Sequence, residues 1–113
     1  MNPQEYIEET RRTRPSKRGN LDMHLLQGAL GVASEAGEIV GLIEKTYCQG
    51  HDMDILKLKK ELGDLMWYAA MLMDEFDFTF EEIFAANIAK LRARYPEKFS
   101  TEDSVRRVDA QNG

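Results

Sequence analysis

The sequence lacks cysteine pairs, long apolar runs and an excess of positive charge, and each absence excludes a class of protein. Cys48 is the only cysteine in the 113 residues, so internal disulfides and Cys-x-x-Cys metal motifs are impossible. No apolar run approaches the roughly 20 residues that a membrane-spanning helix needs. The formal net charge of −5 argues against a general binder of nucleic acid polymers.

Signals of targeting and of common phosphate sites are also missing. The first residues, through Arg14, contain no apolar segment typical of a signal peptide, and their three glutamates argue against a transit peptide. With the lone cysteine, this favours a reducing compartment, so we expect a cytoplasmic protein with no membrane partner. The sequence contains no Gly-rich phosphate loop and no Gly-x-Ser-x-Gly motif.

What the sequence does contain is helical periodicity in four segments. Capping residues, apolar spacing and breakers predict helices over about 3–12, 22–47, 54–77 and 80–94. The caps are Asp22, Asp54 and Thr79, and Tyr95 before a proline should end the last helix. No segment shows the alternation of a strand. We therefore predict an all-α four-helix bundle in a single domain 1–113, with its core over about 22–99 and a polar tail over about 100–113.

The two longest predicted helices have broad apolar stripes. The stripe of the second helix comprises Leu26, Ala29, Ala33, Ala36, Val40, Ile43 and Tyr47. That of the third comprises Ile55, Leu58, Leu62, Leu65, Ala69, Leu72 and Phe76. A helix with so much apolar surface indicates burial on more than one side, hence oligomerisation. The second helix also contains Gly28, Gly31, Gly37 and Gly41, each costing roughly 0.5–1 kcal/mol against alanine. We expect another helix or a ligand to approach them closely.

The segment between the first two helices, Arg14–Asn20, is rich in basic residues and contains Pro and Gly breakers. Two interpretations remain open from the sequence. The segment is either a solvated loop or a mobile basic arm that contacts phosphates or caps a pocket.

Two pairs of carboxylates lie inside the apolar helical pattern. Glu35 and Glu38 form the first pair, and Glu61 and Asp64 form the second. Residues three apart share one face of a helix, so each pair offers two oxygen ligands on the same side. Two such helices packed antiparallel could bring the four acids together, where they would repel one another without a cation. The alternative is that both pairs are ordinary solvated faces.

The ligand types decide which cation the four acids would take. Neither pair has a histidine at the spacing that di-iron bundles use, since His24 lies near a helix start and His51 in a loop. All-oxygen ligation favours Mg²⁺, with Mn²⁺ possible, over Zn²⁺ or redox iron. Mg²⁺ takes its remaining ligands from water and substrate phosphates, which leads to phosphoryl chemistry.

The order and spacing of these motifs resemble a known family. Glu35-x-x-Glu38 followed by Glu61-x-x-Asp64 resembles the signature of the MazG-like nucleoside triphosphate pyrophosphohydrolases, in the all-α NTP pyrophosphatase superfamily. The segment Asn87–Pro96 resembles the last helix of that family, and the match extends over roughly residues 22–99. The resemblance implies hydrolysis of an NTP or dNTP between the α and β phosphates, giving a monophosphate and pyrophosphate.

The resemblance also implies roles for individual residues. The four acids would hold one or more Mg²⁺ ions, and Glu38 or Glu35 would position or deprotonate the attacking water. Lys90 and Arg94 match positions that the family uses towards substrate phosphates, although a solvated basic face is the alternative. Asn87 lies one turn before Lys90, and Lys57 lies one turn before Glu61, so both are further candidates for substrate binding.

The resemblance further implies a homodimer or homotetramer in which neighbouring subunits complete the site. Two competing functions stay open from the sequence. One is a non-enzymatic helical module that binds or regulates a partner through its apolar faces. The other is a metal-dependent hydrolase of a different phosphorylated metabolite.

Overall fold

The computed structural model describes residues 1–15 and 23–107, which form five α-helices and contain no strand. The helices are α1 (Pro3–Arg12), α2 (Met23–Gln49), α3 (Ile55–Glu75), α4 (Phe80–Arg94) and α5 (Thr101–Arg106). The predicted all-α fold is confirmed, but the predicted count of four helices is wrong. Part of the expected polar tail is helical because the Ser100 side chain accepts a hydrogen bond from the Asp103 N–H. In the described ranges, no helix is long and apolar enough to cross a membrane.

Side-chain caps account for the predicted helix boundaries. The Asp54 side chain accepts from the Lys57 N–H at 3.0 Å and starts α3. Thr79 starts α4 by accepting from the Glu82 N–H at 3.1 Å. Gly50, with φ +72°, follows the last residue of α2, where a left-handed conformation suits glycine. The predicted cap Asp22 lies outside the described residues.

The helices fall into two compact units, Met1–Phe78 and Thr79–Gly113. In the first unit, α2 and α3 form an antiparallel pair. Gly28 lies against Leu72, Gly31 lies against Tyr68, and Glu35 lies near Glu61. Residue numbers on α3 therefore decrease along the contact as those on α2 increase. The organisation into a single domain stays a prediction.

Two glycines of α2 allow the two long helices to approach closely. A Cβ atom placed at Gly28 would lie 2.9 Å from Leu72 Cγ, and one placed at Gly31 would overlap the Tyr68 ring. Gly37 and Gly41 differ, because nothing lies within 4 Å of a Cβ placed at either position. The expected close approach of a helix is thus confirmed for Gly28 and Gly31, whereas the space beside Gly37 and Gly41 is open.

The predicted apolar stripe of α2 lies outside the core, and that of α3 lies only partly inside it. On α2, Leu26, Val40 and Tyr47 are 50%, 63% and 80% exposed, and the buried residues are Gly28, Gly31 and Leu42. On α3, Ile55, Leu62 and Phe76 are exposed, and the fully buried residues are Ala70 and Met71. The other stripe residues of α3 are half-buried, and they are Leu58, Leu65, Ala69 and Leu72. The physical reason is the glycine face, which lets α3 approach so closely that the larger apolar side chains of α2 lie elsewhere on the helix. Whether other copies cover them stays a prediction.

A half-buried carboxylate, that of Asp74, connects α1 and the chain after it to the end of α3. Asp74 accepts two hydrogen bonds from Arg11, each at 2.7 Å, and one from Arg14 at 2.6 Å. The hydrogen bond from Arg11 is the main reason why the pKa of Asp74 is lowered to about 2. Arg14 is therefore neither a solvated loop residue nor a mobile arm, since its side chain is only 6% exposed. Residues 16–20 of the predicted loop lie outside the described residues.

We expect Asp74→Asn to destabilise the protein by about 2 kcal/mol at pH 7, because both arginines lose a charged partner. A carboxyl with a lowered pKa contributes stability above its unfolded pKa, and that stability is lost as the pH falls from about 4 towards 2. Urea unfolding of the variant and the wild type from pH 7 to pH 3 measures this. The gap in unfolding free energy should narrow below about pH 4, and a gap independent of pH would contradict the assignment. Asp52→Asn, in the loop before α3, is the control.

Alanine substitutions at two glycines of the same helix should have opposite effects. Gly31→Ala forces a Cβ into the Tyr68 ring and should destabilise the protein by about 1–3 kcal/mol. Gly37→Ala meets no atom and should stabilise it by about 0.5–1 kcal/mol through helix propensity. The melting temperatures of both variants, compared with that of the wild type, test this prediction. Equal changes in melting temperature would mean that α2 and α3 do not approach as described.

Candidate metal centre

Three of the four predicted acids converge where α2 and α3 face each other. Glu35 on α2 and Glu61 and Asp64 on α3 each place one carboxylate oxygen so that these atoms lie within 4.8 Å of one another. The spacing of three residues puts Glu61 and Asp64 on one face of α3, and the antiparallel pairing brings Glu35 opposite them. Glu35 and Glu61 are half-buried, and Asp64 is exposed.

The electrostatics of this carboxylate cluster are unfavourable without a cation. The pKa of Glu35 is raised to about 7, chiefly by a hydrogen bond with the Glu61 carboxyl, then by burial and by the neighbouring negative charges. Glu35 Oε2 is buried and has no hydrogen-bond partner. A buried acceptor without a donor is costly, so this oxygen has a ligand-binding capacity that the chain itself does not use.

The cluster fits a hard divalent cation. Its donor set consists of carboxylate oxygens, which Mg²⁺ and Mn²⁺ prefer. The unpartnered oxygen of Glu35 would gain a partner, and the repulsion among the three acids would be relieved. Glu35, Glu61 and Asp64 are therefore the residues that would hold such an ion, and their role as ligands stays a prediction.

A helix outside the cluster supports the α3 segment that contains two of these acids. The Tyr6 hydroxyl of α1 donates a hydrogen bond at 3.3 Å to the carbonyl of Gly63, between Glu61 and Asp64. Burial, and then the charge of Asp64, raise the pKa of Tyr6. Tyr6 therefore lies close to the cluster, a position that the sequence alone did not indicate.

Glu38, the fourth predicted acid, is not among the three converging residues. It is exposed and lines a neighbouring pocket of about 200 Å³ between α2 and α3. Lys57, predicted to contact substrate, lines the same pocket, and so does Lys45, which the sequence analysis missed. The signal for Lys45 was present, because a residue seven positions after Glu38 lies two turns further on the same face.

A second pocket lies on the other side of the cluster along α2. It has a volume of about 370 Å³ and is lined mainly by apolar side chains, including Leu26, Leu30 and Tyr68. The Tyr68 ring is edge-on to Trp67, with ring centroids 5.0 Å apart. The Trp67 indole N–H is occupied by a hydrogen bond of 3.0 Å to Thr13.

The remaining predicted substrate residues are on α4, in the second unit. Asn87 and Lys90 are exposed, and Lys90 and Arg94 are one turn apart on the same helix. The guanidinium carbon of Arg94 lies 6.0 Å from the centroid of the Tyr95 ring. Their contact with substrate stays a prediction.

Comparison with known proteins identifies the family. Residues 26–99 match the sequence model of the MazG nucleotide pyrophosphohydrolase domain. The chain belongs to this family. The matched range includes all four acids and the α4 residues Asn87, Lys90 and Arg94.

One curated relative of this MazG-family chain is the Gene 37 protein of Mycobacterium phage L5. The two are 34% identical over 70 residues, which cover 58% of this chain and 60% of the phage protein. The chain thus aligns with less than two thirds of that relative's length. No solved structure matches the chain.

We expect Mg²⁺ or Mn²⁺ to raise the melting temperature of this MazG-family protein, because binding to the folded state stabilises it by mass action. At one hundred times the dissociation constant, the stabilisation should be about 2.7 kcal/mol. Glu61→Gln should lose this response. It should also raise the melting temperature of the metal-free protein, because it removes one of the repelling charges.

Differential scanning calorimetry with EDTA, and then with each cation, measures both effects. Glu44→Gln, at an exposed position of α2, removes a charge outside the cluster and is the control. An equal cation response in wild type and Glu61→Gln would exclude the site as described.

Proposed function

We propose that the protein is a Mg²⁺-dependent nucleoside triphosphate pyrophosphohydrolase that converts an NTP or dNTP and water to the monophosphate and pyrophosphate. Membership of the MazG family supports nucleotide pyrophosphohydrolysis in general. The observation that supports the metal-dependent form is the convergence of Glu35, Glu61 and Asp64, with a buried Glu35 oxygen that has no partner.

The three acids of the cluster and the neighbouring Glu38 have two proposed roles. Glu35, Glu61 and Asp64 hold the cation, and Mg²⁺, when bound, offsets phosphate charge and lowers the pKa of a water. Glu38 lies outside the three-residue cluster and has an exposed carboxylate, so it can accept a proton from the attacking water. Glu35 is the second candidate for this role, and its engagement with Glu61 makes it the weaker one.

The proposed reaction consumes one water for each nucleotide. The water oxygen attacks the α phosphorus, and its proton passes to Glu38. The bond between the α phosphorus and the oxygen bridging to the β phosphate breaks, and its electron pair leaves with pyrophosphate. Lys57, beside Glu38, would offset the charge of the leaving group, and we propose Asn87, Lys90 and Arg94 as further substrate contacts.

The exposed apolar stripe of α2 supports a second proposal about assembly. Leu26, Val40 and Tyr47 are at least half exposed along one helix, which is a large apolar surface for a single chain. We propose that two or four copies associate through this stripe, as the family resemblance implies, and the mass in solution tests it. The same stripe is the feature that favours the alternative function, a helical module that binds a partner without catalysis.

We expect the wild-type protein to release pyrophosphate from at least one member of a panel of NTPs and dNTPs with Mg²⁺, and none with EDTA. Glu38→Gln should lower kcat by about 10²–10⁴-fold, the usual contribution of a general base. It should keep the thermal response to Mg²⁺, whereas Glu61→Gln should lose both.

Product analysis separates the alternatives. Release of orthophosphate without pyrophosphate would indicate a different phosphohydrolase. Folded wild-type protein that hydrolyses no nucleotide would favour the interaction module.

A further inference from the structure

The pocket beside Glu38 contains a lysine, Lys45, and two glycines, Gly37 and Gly41, to which the proposed chemistry gives no role. It lies between α2 and α3, on the side of the cluster towards the loop that joins them, and is lined by Gly37, Glu38, Gly41, Leu42, Lys45 and Lys57. Its volume of about 200 Å³ is below the roughly 300–1,000 Å³ of pockets that hold a whole small-molecule ligand. It therefore suits one part of a nucleotide.

The charge of this pocket is positive in a protein that is negative overall. Its lining includes two basic residues, Lys45 on α2 and Lys57 on α3, and one acidic residue, Glu38. Within residues 1–15 and 23–107, neither ammonium group forms a hydrogen bond or an ion pair. Arg11 and Arg14 differ, since both are paired with Asp74. Two unpaired cations converging from two helices favour an anionic ligand with several oxygens.

The two open glycines provide the space for such a ligand. Gly37 and Gly41 are four residues apart, so they share a face of α2, and nothing lies within 4 Å of a Cβ placed at either. Unlike Gly28 and Gly31, they do not serve helix packing. A methyl group at Gly41 would instead occupy part of the pocket.

The position of the pocket along the helices relates it to the reacting phosphate. Lys57 precedes Glu61 by one turn, which is about 6 Å along the axis of α3. A phosphate held at the carboxylate cluster would therefore have its neighbours within reach of this pocket.

We propose that the pocket between Lys45 and Lys57 binds the terminal phosphate of the substrate, and that Lys45 thereby selects nucleoside triphosphates over diphosphates. This inference rests on the proposed function, because it assumes that the α phosphate reacts at the carboxylate cluster. Lys45 is then a specificity-determining residue. Lys57 reaches the phosphate nearer to the cluster, and the leaving pyrophosphate occupies the same pocket.

Steady-state kinetics with matched nucleoside tri- and diphosphates test the proposal. Lys45→Met keeps most of the aliphatic side chain and removes the charge. It should raise KM for the triphosphate about tenfold, the effect of one lost charge-assisted hydrogen bond, with a smaller change in kcat. The diphosphate should be turned over as by the wild type. Lys59 is an exposed lysine of α3 outside the pocket, so Lys59→Met should leave KM and kcat unchanged for both substrates.

Gly41→Ala provides a second test, because it should stabilise the protein and at the same time weaken binding of the triphosphate. It should raise the melting temperature through helix propensity and raise KM for the triphosphate by filling the pocket. A purely structural role of Gly41 would not combine these two changes. Unchanged preference for triphosphate in both Lys45→Met and Gly41→Ala would overturn the inference while leaving the proposed function intact.

Binding of inorganic pyrophosphate provides a readout that needs no turnover. Calorimetry should give a dissociation constant about tenfold weaker for Lys45→Met than for wild type or Lys59→Met. If the wild type hydrolyses no nucleotide, the proposed function fails, and this titration alone decides on the pocket. Binding lost only in Lys45→Met would support an anion site, whereas equal binding in all three proteins, or none, would overturn it.

Discussion

The close approach of α2 and α3 at Gly28 and Gly31 is the contact on which the site depends. It brings the Tyr68 ring against the backbone of α2, which fixes the register of the antiparallel pair. In that register, Glu35 lies opposite Glu61 and Asp64. A shift by one residue would turn the acids of one helix away from those of the other, since neighbouring positions lie about 100° apart on a helix. The helix-breaking tendency of glycine is thus offset by a contact that larger residues would prevent.

Local rules made much of the fold predictable from sequence. Asp54 and Thr79 marked helix starts because short polar side chains accept backbone N–H groups that would otherwise lack partners. The short helix after Ser100 was missed because it is brief and polar, so it leaves no apolar period. The core of α2 was misassigned for a different reason. Periodicity reports which residues are apolar, whereas the partner of a helix is decided by which face permits the closest packing.

The candidate site was predictable to a similar extent. Its acids were predictable from their spacing, because residues at i and i+3 share one face of a helix and two such faces on neighbouring helices can lie opposite each other. The separation of Glu38 from the other three was not predictable, since it depends on the rotation of α2 about its axis. Lys45 was not predicted because it lies two turns after Glu38, beyond the segment that the acid motif covers. The residues of a site between helices are spread over several turns of one helix face, so a short sequence motif includes only some of them.

The hydrogen bond from Tyr6 to the Gly63 carbonyl has a consequence for how the protein is handled. Together with the ion pair of Arg11 with Asp74, it connects α1 to α3 at the segment that contains Glu61 and Asp64 and at the C-terminal end of that helix. The short helix α1 is therefore attached to the segment of α3 from which two of the three converging carboxylates project. An affinity tag fused next to Met1 would directly precede α1. A tag that displaced α1 would remove the hydrogen bond to the Gly63 carbonyl, even though no tag residue touched Glu61 or Asp64.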